Sequence, residues 1–466
     1  MNNFSGRVVD FEHGGKDDKM LLGGKGANLA EMRRVGLSIP YGFTITTKAC
    51  GDYYRQGLKL DEQLLEEMRR GLMRLESSSE KGFGNPIKPL LVSVRSGAPV
   101  SMPGMMDTVL NLGLNDAVAK GLGEVTGNMN FALDSYRRLI QMYSDVVLGI
   151  EKYHFDLVLE RYLKQFQQRQ FNQLTTEQMW TVINRFQHVV RMEKGFDFPQ
   201  DPWEQLTAAV GAVFESWHNP RAALYRSLNH IDEAMGTAVT VQMMVFGNYD
   251  DQSGTGVLFT RNPSTGTRER YGEFLIQAQG EDVVAGIRTP KPIVELESEM
   301  PQVFNQLMAV CDQLENHYRD MQDIEFTVEQ GKLFMLQTRS GKRTIQAALQ
   351  IAIDMVAEKL ITHEEALMRI DVIAIDKLLH PSFDKKTLQA QQPIAMGLPA
   401  SPGAAVGRIF FHSEDVVAAK KQGSPAILVR KETSPEDIEG MVHAEGIITA
   451  RDRKSTRLNS SHGIIS

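Results

Sequence analysis

The chain has few cysteines, no long apolar run and no excess of basic residues. Cys50 and Cys311 are its only cysteines, too few for a disulfide framework, so we expect a reducing compartment. No stretch approaches the ~18 uninterrupted apolar residues that a membrane span needs. The formal net charge of −7 offers no basic surface for nucleic acid. We therefore predict a cytoplasmic protein with neither a membrane nor a nucleic-acid partner.

What the chain does contain is an ordinary globular composition, with 42% hydrophobic and 23% charged residues. At 466 residues it is too long for a single core, and about three domains are expected. Between about 115 and 235 the pattern is helical, whereas the glycine-rich segments on either side have the composition of strands. The predicted fold class is therefore α+β, with a helical insertion.

Two cationic residues are candidates for binding phosphate. Gly23-Gly24-Lys25-Gly26 is interpreted as a loop whose backbone could approach a phosphate, with Lys25 as a point charge. It lacks the spacing of a P-loop, so a solvated turn is the alternative. Arg95 lies in a strand predicted over Leu90–Arg95. Because an unpaired charge in a partly buried sheet is costly, it must pair with a carboxylate or a phosphate, and the local residues favour neither.

The strongest local pattern is a hairpin over residues 322–340, in which polar and apolar residues alternate on both sides of a turn. We predict a three-residue loop with Gly331 in the left-handed conformation, which pairs Val328 with Lys332. A two-residue loop would mix polar and apolar side chains on each face, so we reject it.

The predicted register places Asp323, Glu325 and Gln337 on one face of the hairpin, opposite an apolar face. Two carboxylates and an amide carbonyl form an oxygen-donor set suited to Mg²⁺. Arg339, two positions after Gln337, faces the same side and can offset phosphate charge. The alternative is a sheet face that is simply exposed to solvent.

The C-terminal part has the pattern of a linker followed by a new domain. Residues 345–395 are interpreted as a helical linker that contains a capping box at Thr362–Glu365 and ends in prolines. A small α/β domain is predicted over 396–451, with strands at 426–430 and 446–449. Ser434 is the predicted N-cap of the helix between them.

Four blocks of the sequence occur in the order KMLLGGKGANLAEMRRVGLSIPYGFTITTKAC, SVRSGAPVSMPGMMDTVLNLGLND, GTGVLFTRNPSTG and DIEFTVEQGKLFMLQTR. In content and order they resemble the pyruvate, phosphate dikinase family, and the resemblance extends over residues 6 to 451. The Met-Pro-Gly-Met-Met-Asp run favours this family over the related phosphoenolpyruvate synthases. GLPASPGAAVGRI resembles the start of the family's swivelling phosphohistidine domain.

The resemblance implies an ATP-grasp-like nucleotide-binding domain over 1–344, with a helical insertion at 115–235. It implies that Lys25, Arg95 and Arg339 bind the polyphosphate of ATP. It further implies that Glu325 and Gln337 bind Mg²⁺, with Asp323 nearby. It also implies that the complete enzyme is a homodimer, in which ATP, phosphate and pyruvate would yield AMP, diphosphate and phosphoenolpyruvate through a histidine.

The chain departs from the family after Arg451. The family continues to a Thr-Ser-His segment that bears the acceptor histidine, whereas His462 lies too far along and lacks the flanking glycines. No catalytic histidine is therefore matched, and residues 452–466 are expected to be a disordered, non-native tail. We expect a chain that binds Mg-ATP but does not complete the dikinase reaction. The alternative functions are an ATP-grasp ligase, another small-molecule phosphotransferase, or a non-enzymatic nucleotide-binding module.

Overall fold

The computed structural model describes residues 6–280, 282, 289–371, 394–395, 397 and 404–450. The chain forms two compact units. One contains the residues up to Tyr249 together with Phe334–Gln337, and the other contains Asp250–Leu333 and the residues from Thr338 onward. Each unit combines helices and strands, so the predicted mixture of α and β is confirmed. The predicted domain boundaries stay a prediction.

The first unit contains a five-stranded sheet and a short two-stranded pair. The strands are β1 (Val8–Asp10), β2 (Gly42–Ile45), β3 (Gly82–Phe83), β4 (Pro89–Leu90), β5 (Val92–Gly97), β6 (Thr108–Leu112) and β7 (Ala238–Met243). The larger sheet has the order β1-β2-β7-β5-β6, with antiparallel neighbours throughout. Val92 and Val94 of β5 are fully buried, as the alternation around Arg95 predicts.

Helices account for most of the rest of the first unit. They are α1 (Lys19–Arg34), α2 (Thr47–Arg55), α3 (Glu62–Ser79), α4 (Asp116–Thr126), α5 (Met129–Val146), α6 (Lys152–Gln165), α7 (Thr176–Lys194), α8 (Pro202–Glu215) and α9 (Pro220–Leu228). The helical prediction for 115–235 is confirmed. Thr175 and Gln178 form a capping box at the start of α7, and its apolar stripe packs into the core through side chains such as Phe186.

The second unit begins with a sheet whose order is β10-β9-β8-β11-β12. Its elements are β8 (Gly254–Phe259), β9 (Tyr271–Ile276), β10 (Lys291–Pro292), α10 (Leu296–Glu299), α11 (Pro301–Tyr318), β11 (Gln322–Glu329), β12 (Lys332–Ser340), α12 (Ile345–Ala357) and α13 (His363–Met368). The predicted capping box is confirmed, since Thr362 and Glu365 exchange side-chain and backbone hydrogen bonds. The predicted linker beyond residue 371 lies largely outside the described residues.

The last described segment is a parallel sheet of the strands β13 (Arg408–Phe410), β14 (Ala426–Arg430) and β15 (Gly446–Thr449), with α14 (Ser413–Lys421) and α15 (Ile438–His443). Both predicted strands are confirmed. Ser434 is the N-cap of a short 3₁₀ turn, Pro435–Asp437, that leads into α15; its backbone N–H donates to Asp437 Oδ2 at 2.9 Å, whereas its side chain makes no capping hydrogen bond. Leu428 is buried against the helices, whereas Ile409 and Ile448 are 58% and 55% exposed. One apolar face of this sheet is therefore uncovered among the described residues.

A fully buried arginine stabilises the second unit. Arg261 is 0% exposed, and its Nη2 donates to Glu315 Oε1 and to Glu358 Oε2, each at 2.6 Å. Glu315 belongs to α11 and Glu358 follows α12, so the guanidinium ties the ends of two helices to the loop after β8. Such a charge is tolerated inside a protein only when it is paired.

Two further features concern the whole described chain. Cys50 and Cys311 are both buried, at 1% and 0% exposure. Among the described residues, no helix combines the length and apolar character that crossing a bilayer requires.

Replacing Glu315 with alanine should lower the free energy of unfolding by about 3 kcal/mol, because the Arg261 charge stays buried with one partner fewer. Urea denaturation followed by circular dichroism measures the change. The matched control is Asp312→Ala, which removes a half-exposed partner of Arg270 from the same helix and should cost at most about 1 kcal/mol. Equal losses in the two variants would contradict the role given to the buried pair.

Candidate functional site

The glycine-rich segment around Lys25 forms an interrupted helix. α1 is helical except at Gly23, where φ is 66° and ψ is 168°. The prediction of a loop over all four residues is therefore wrong, because the chain resumes helical geometry at Gly24. A Cβ on Gly23 would lie 1.6 Å from the carbonyl oxygen of Gly97, and Gly24 N donates to Ala98 O at 2.8 Å. Only glycine permits both the positive φ and this close approach.

This contact brings Lys25 to the face of β5 that carries Arg95. Side chains two residues apart in a strand point to the same face, so a Cβ on Gly97 would point the same way as the side chain of Arg95. That Cβ would lie 3.4 Å from Lys25 Cβ. The structure therefore places the two predicted cations on one face of the first sheet. Arg95 also lies 3.5 Å, Nη1 to Oε1, from Gln242.

Two buried threonines continue the same face across the sheet. Arg95 is paired with Thr240 of β7, which is paired in turn with Thr44 of β2, and opposite residues of an antiparallel pair share a face. A Cβ on Gly26 would lie 2.5 Å from Thr44 Oγ1, so the helix that carries Lys25 covers this row. Within the described residues, neither threonine hydroxyl has a hydrogen-bond partner, although buried polar groups usually have one. Sequence reasoning missed both threonines, which are ordinary strand formers.

The hairpin of the second unit turns differently from the prediction. β11 ends at Glu329 and β12 begins at Lys332, so only Gln330 and Gly331 form the loop. Their φ angles are 50° and 74°, the pattern of a type I′ turn. The left-handed Gly331 is confirmed, and the three-residue loop is wrong, because Gln330 adopts a positive φ that its residue type seldom does.

At the open end of the hairpin, Asp323 and Arg339 nevertheless lie on the same face, as predicted. A two-residue turn continued without interruption would put Asp323 and Arg339 on opposite faces. Instead, Arg339 Nε donates to Asp323 Oδ2 at 2.7 Å, and Gly341 N donates to Met321 O at 2.9 Å. One extra residue is therefore accommodated between the turn and the open end, as in a β-bulge. Asp323 and Arg339, which form this ion pair, are both predicted site residues.

The polar residues of the hairpin do not form a solvent-exposed surface. Asp323 is 1% exposed and Gln337 is 5% exposed, whereas Glu325, on the same face of β11 as Asp323, is half-buried. The alternative of an exposed sheet face is therefore wrong for Asp323 and Gln337. Among the described residues, no three acidic, histidine or cysteine side chains cluster as a ready-made metal cage. Mg²⁺ does not require one, since it takes one or two carboxylates and completes its shell with water and phosphate.

A further cation near this ion pair was missed by the sequence reasoning. Lys342 follows β12 and is half-buried. Burial is the main cause that lowers the pKa of its ammonium to about 7; the Arg339 charge adds to the effect and Asp323 opposes it. Strongly shifted pKa values are commonest at functional sites. The only available signal was the run of basic residues that follows Arg339.

The remaining predicted features lie outside the described residues. His462 and the segment 452–466 belong to this part of the chain, as does most of the segment between 372 and 403. The predictions made for them stay predictions.

The family model described as "Pyruvate phosphate dikinase, AMP/ATP-binding domain" matches residues 19–81, 58–303 and 295–360. This chain belongs to the pyruvate, phosphate dikinase family. The resemblance inferred from the sequence blocks is thereby confirmed.

Curated members of the pyruvate, phosphate dikinase family are similar along nearly the whole chain. The enzyme of Clostridium symbiosum is 53% identical over 445 residues, or 95% of this chain and 51% of the relative. That of Rhizobium meliloti is 54% identical over 94% of this chain and 50% of the relative. The chloroplastic enzyme of Flaveria pringlei is 52% identical over 96% of this chain and 47% of the relative. The chain therefore spans about half the length of the curated relatives it matches.

The matched AMP/ATP-binding model of the pyruvate, phosphate dikinase family includes every candidate residue described above. Lys25 falls in its first matched segment, Arg95 in its second, and the hairpin from Asp323 to Arg339 in its third. Lys342 also lies within the third segment. Lys25, Arg95 and the hairpin residues therefore all lie within the segments that this family model matches.

We expect Gly23→Ala to lower the free energy of unfolding by about 3 kcal/mol or more, because strain at positive φ is combined with a backbone clash. The control is Gly36→Ala: Gly36 also has positive φ, at 84°, but a Cβ there would meet nothing within 4 Å. Strain alone should cost about 1 kcal/mol at that position. Thermal and urea unfolding measure both variants, and equal losses would argue against the close approach at Gly97.

Proposed function

We propose that this chain binds Mg-ATP, with Lys25 and Arg95 as phosphate-binding residues of the first unit. The observation that carries the proposal is that Lys25 of α1 packs against the face of β5 on which Arg95 lies, although the two residues are distant in the sequence. Two cations on one side of the sheet are suited to a polyphosphate, which carries several negative charges.

In the hairpin of β11 and β12, Arg339 is proposed to bind a phosphate group and Glu325 to bind Mg²⁺ together with Gln337. Asp323 is proposed to orient Arg339, since their 2.7 Å hydrogen bond fixes the guanidinium. Glu325 and Gln337 would hold the Mg²⁺, which would supply positive charge to offset that of the phosphate groups. The chain supplies the oxygen donors for the metal and the cations for the phosphates. Because these groups are already in place before the reaction, they need no rearrangement while it occurs.

The activity proposed for the whole protein is that named for its relatives. ATP, phosphate and pyruvate would be converted to AMP, diphosphate and phosphoenolpyruvate, with the β,γ-pyrophosphoryl group passing through a histidine. The proposed architecture is an ATP-grasp-like domain over 1–344, followed by the start of a swivelling phosphohistidine domain over 396–451. The parallel β13-β14-β15 sheet supports the α/β character of that second domain.

Lys25→Gln and Arg95→Gln should each weaken Mg-ATP binding about tenfold or more, because each removes a charge-assisted hydrogen bond to phosphate. Glu325→Gln should weaken ATP binding mainly when Mg²⁺ is present. Isothermal titration calorimetry with and without Mg²⁺ measures these effects. Arg339 is a poorer target, since its removal would leave the buried Asp323 without this charge partner.

The matched control is Lys48→Gln, which removes an exposed lysine from α2 in the first unit and should leave the affinity unchanged. Circular dichroism of each variant checks that the fold is kept. Wild-type affinity in both Lys25→Gln and Arg95→Gln would refute the assignment of the phosphate site.

A further inference from the structure

The methionine-rich run Met102–Asp107 belongs to the loop that joins β5 to β6. Its middle forms a tight turn, in which Met105 N donates to Met102 O at 3.3 Å. Pro103 and Gly104 occupy the two central positions, and Gly104 has the positive φ, 72°, that a type II turn needs there. Both methionines of the turn are buried, whereas Gly104 is exposed. The loop is therefore anchored through its methionines and has a tip that solvent can reach.

Both ends of this loop lie beside the proposed phosphate-binding residues of the first unit. At its start, Ala98 O accepts the 2.8 Å hydrogen bond from Gly24 N, and Lys25 is the next residue of that helix. At its end, Thr108 of β6 is paired with Arg95 of β5. The position of the loop therefore bears on the placement of both cations.

An arginine from outside the loop holds its C-terminal half. Arg221 of α9 donates from Nε to Met105 O at 3.2 Å and from Nη2 to Asp107 Oδ1. The other carboxylate oxygen of Asp107 accepts from Asn219 Nδ2 at 2.9 Å, and its backbone N–H donates to Ser216 Oγ at 3.2 Å. A planar guanidinium can make both of its hydrogen bonds at once. The start of α9 and the turn before it therefore clamp the end of the loop.

Asn219 contributes to this clamp at the expense of its own helix. It stands at the N-cap position of α9, immediately before Pro220, where an asparagine usually accepts a hydrogen bond from the first turn. Here its side chain makes no capping hydrogen bond, and its amide donates to Asp107 instead. A residue that departs from its local preference points to a constraint beyond helix stability, as is found at functional sites.

We propose that Arg221 is a positioning residue of the nucleotide site, which acts through the loop and does not itself contact ATP. The inference rests on the proposed function, since the loop begins beside Lys25 and ends beside Arg95. Without the guanidinium, the Met105 carbonyl and the Asp107 carboxylate both lose a charged donor. The loop would then be held less tightly in the ligand-free chain, and ordering it again would reduce the affinity for ATP.

The test is calorimetric titration of Mg-ATP into wild type, Arg221→Gln, Asp107→Asn and the double variant. Arg221→Gln should bind about fivefold more weakly, since the loop must be ordered on binding. Because the two residues share one contact, the double variant should lose less affinity than the product of the two single losses. Hydrogen exchange of the loop amides, followed by mass spectrometry, should be faster in ligand-free Arg221→Gln than in wild type, and ATP should restore the protection.

The matched control is Arg7→Gln, which removes a buried arginine that pairs with Asp61 at 2.6 Å. Arg7 immediately precedes β1, at the opposite edge of the sheet from β6. This variant should also lose stability, but it should keep the wild-type affinity while the chain stays folded, because lost stability alone changes only the folded fraction. Urea unfolding measures the stability of each variant. If Arg221→Gln does not fold, Asn219→Ala removes a neutral hydrogen bond from the same carboxylate and should bind about threefold more weakly.

Wild-type affinity in folded Arg221→Gln, or an equal loss in Arg7→Gln, would overturn this inference and leave the proposed function in place. Single losses that multiply in the double variant, or unchanged exchange of the loop amides in Arg221→Gln, would likewise contradict the clamp. Failure of wild type to bind ATP would overturn the proposed function and this inference together.

Discussion

The arrangement of the first unit depends on the contact between two backbone segments at Gly23 and Gly97. Because neither residue has a side chain, the helix that carries Lys25 packs directly on the end of β5. The distance between helix and strand is therefore set by backbone atoms, which vary less than side chains. A lysine and an arginine that are distant in the sequence acquire a common orientation, so the positive charge faces one way before any ligand is present. Preorganised charge of this kind is what stabilises a highly charged phosphate.

In the second unit, several charged side chains are wholly or partly buried and are paired with one another. Arg261 with Glu315, Arg343 with Asp320 and Arg339 with Asp323 each join a guanidinium to a carboxylate. Guanidinium suits this role because its planar donors match a carboxylate. The ion pairs around Arg261 join two helices to a loop and so serve the fold, whereas Arg339 and Asp323 belong to the candidate site residues.

Much of this arrangement could be predicted from the sequence, and its failures have physical causes. The alternation of Val92, Val94 and Arg95 predicts both the strand and the separate face on which the arginine lies. Gly331 predicts the left-handed turn position, but the positive φ of Gln330 follows from tertiary packing, because glutamine has no intrinsic preference for it. The effect of Asp323 on the pKa of Lys342 could not be predicted, since the carboxylate comes from the neighbouring strand and not from the sequence around the lysine.

The burial of both thiols has a practical consequence. Burial raises the pKa of Cys50 to about 11 and that of Cys311 to about 12, so almost no thiolate exists at neutral pH and reagents in solvent cannot reach either sulfur. A cysteine introduced at an exposed position, such as Met73 in α3 or Met192 in α7, would therefore react selectively with a maleimide dye or a spin label. The natural chain already serves as the background for distance measurements by fluorescence or electron resonance, without removal of a native residue.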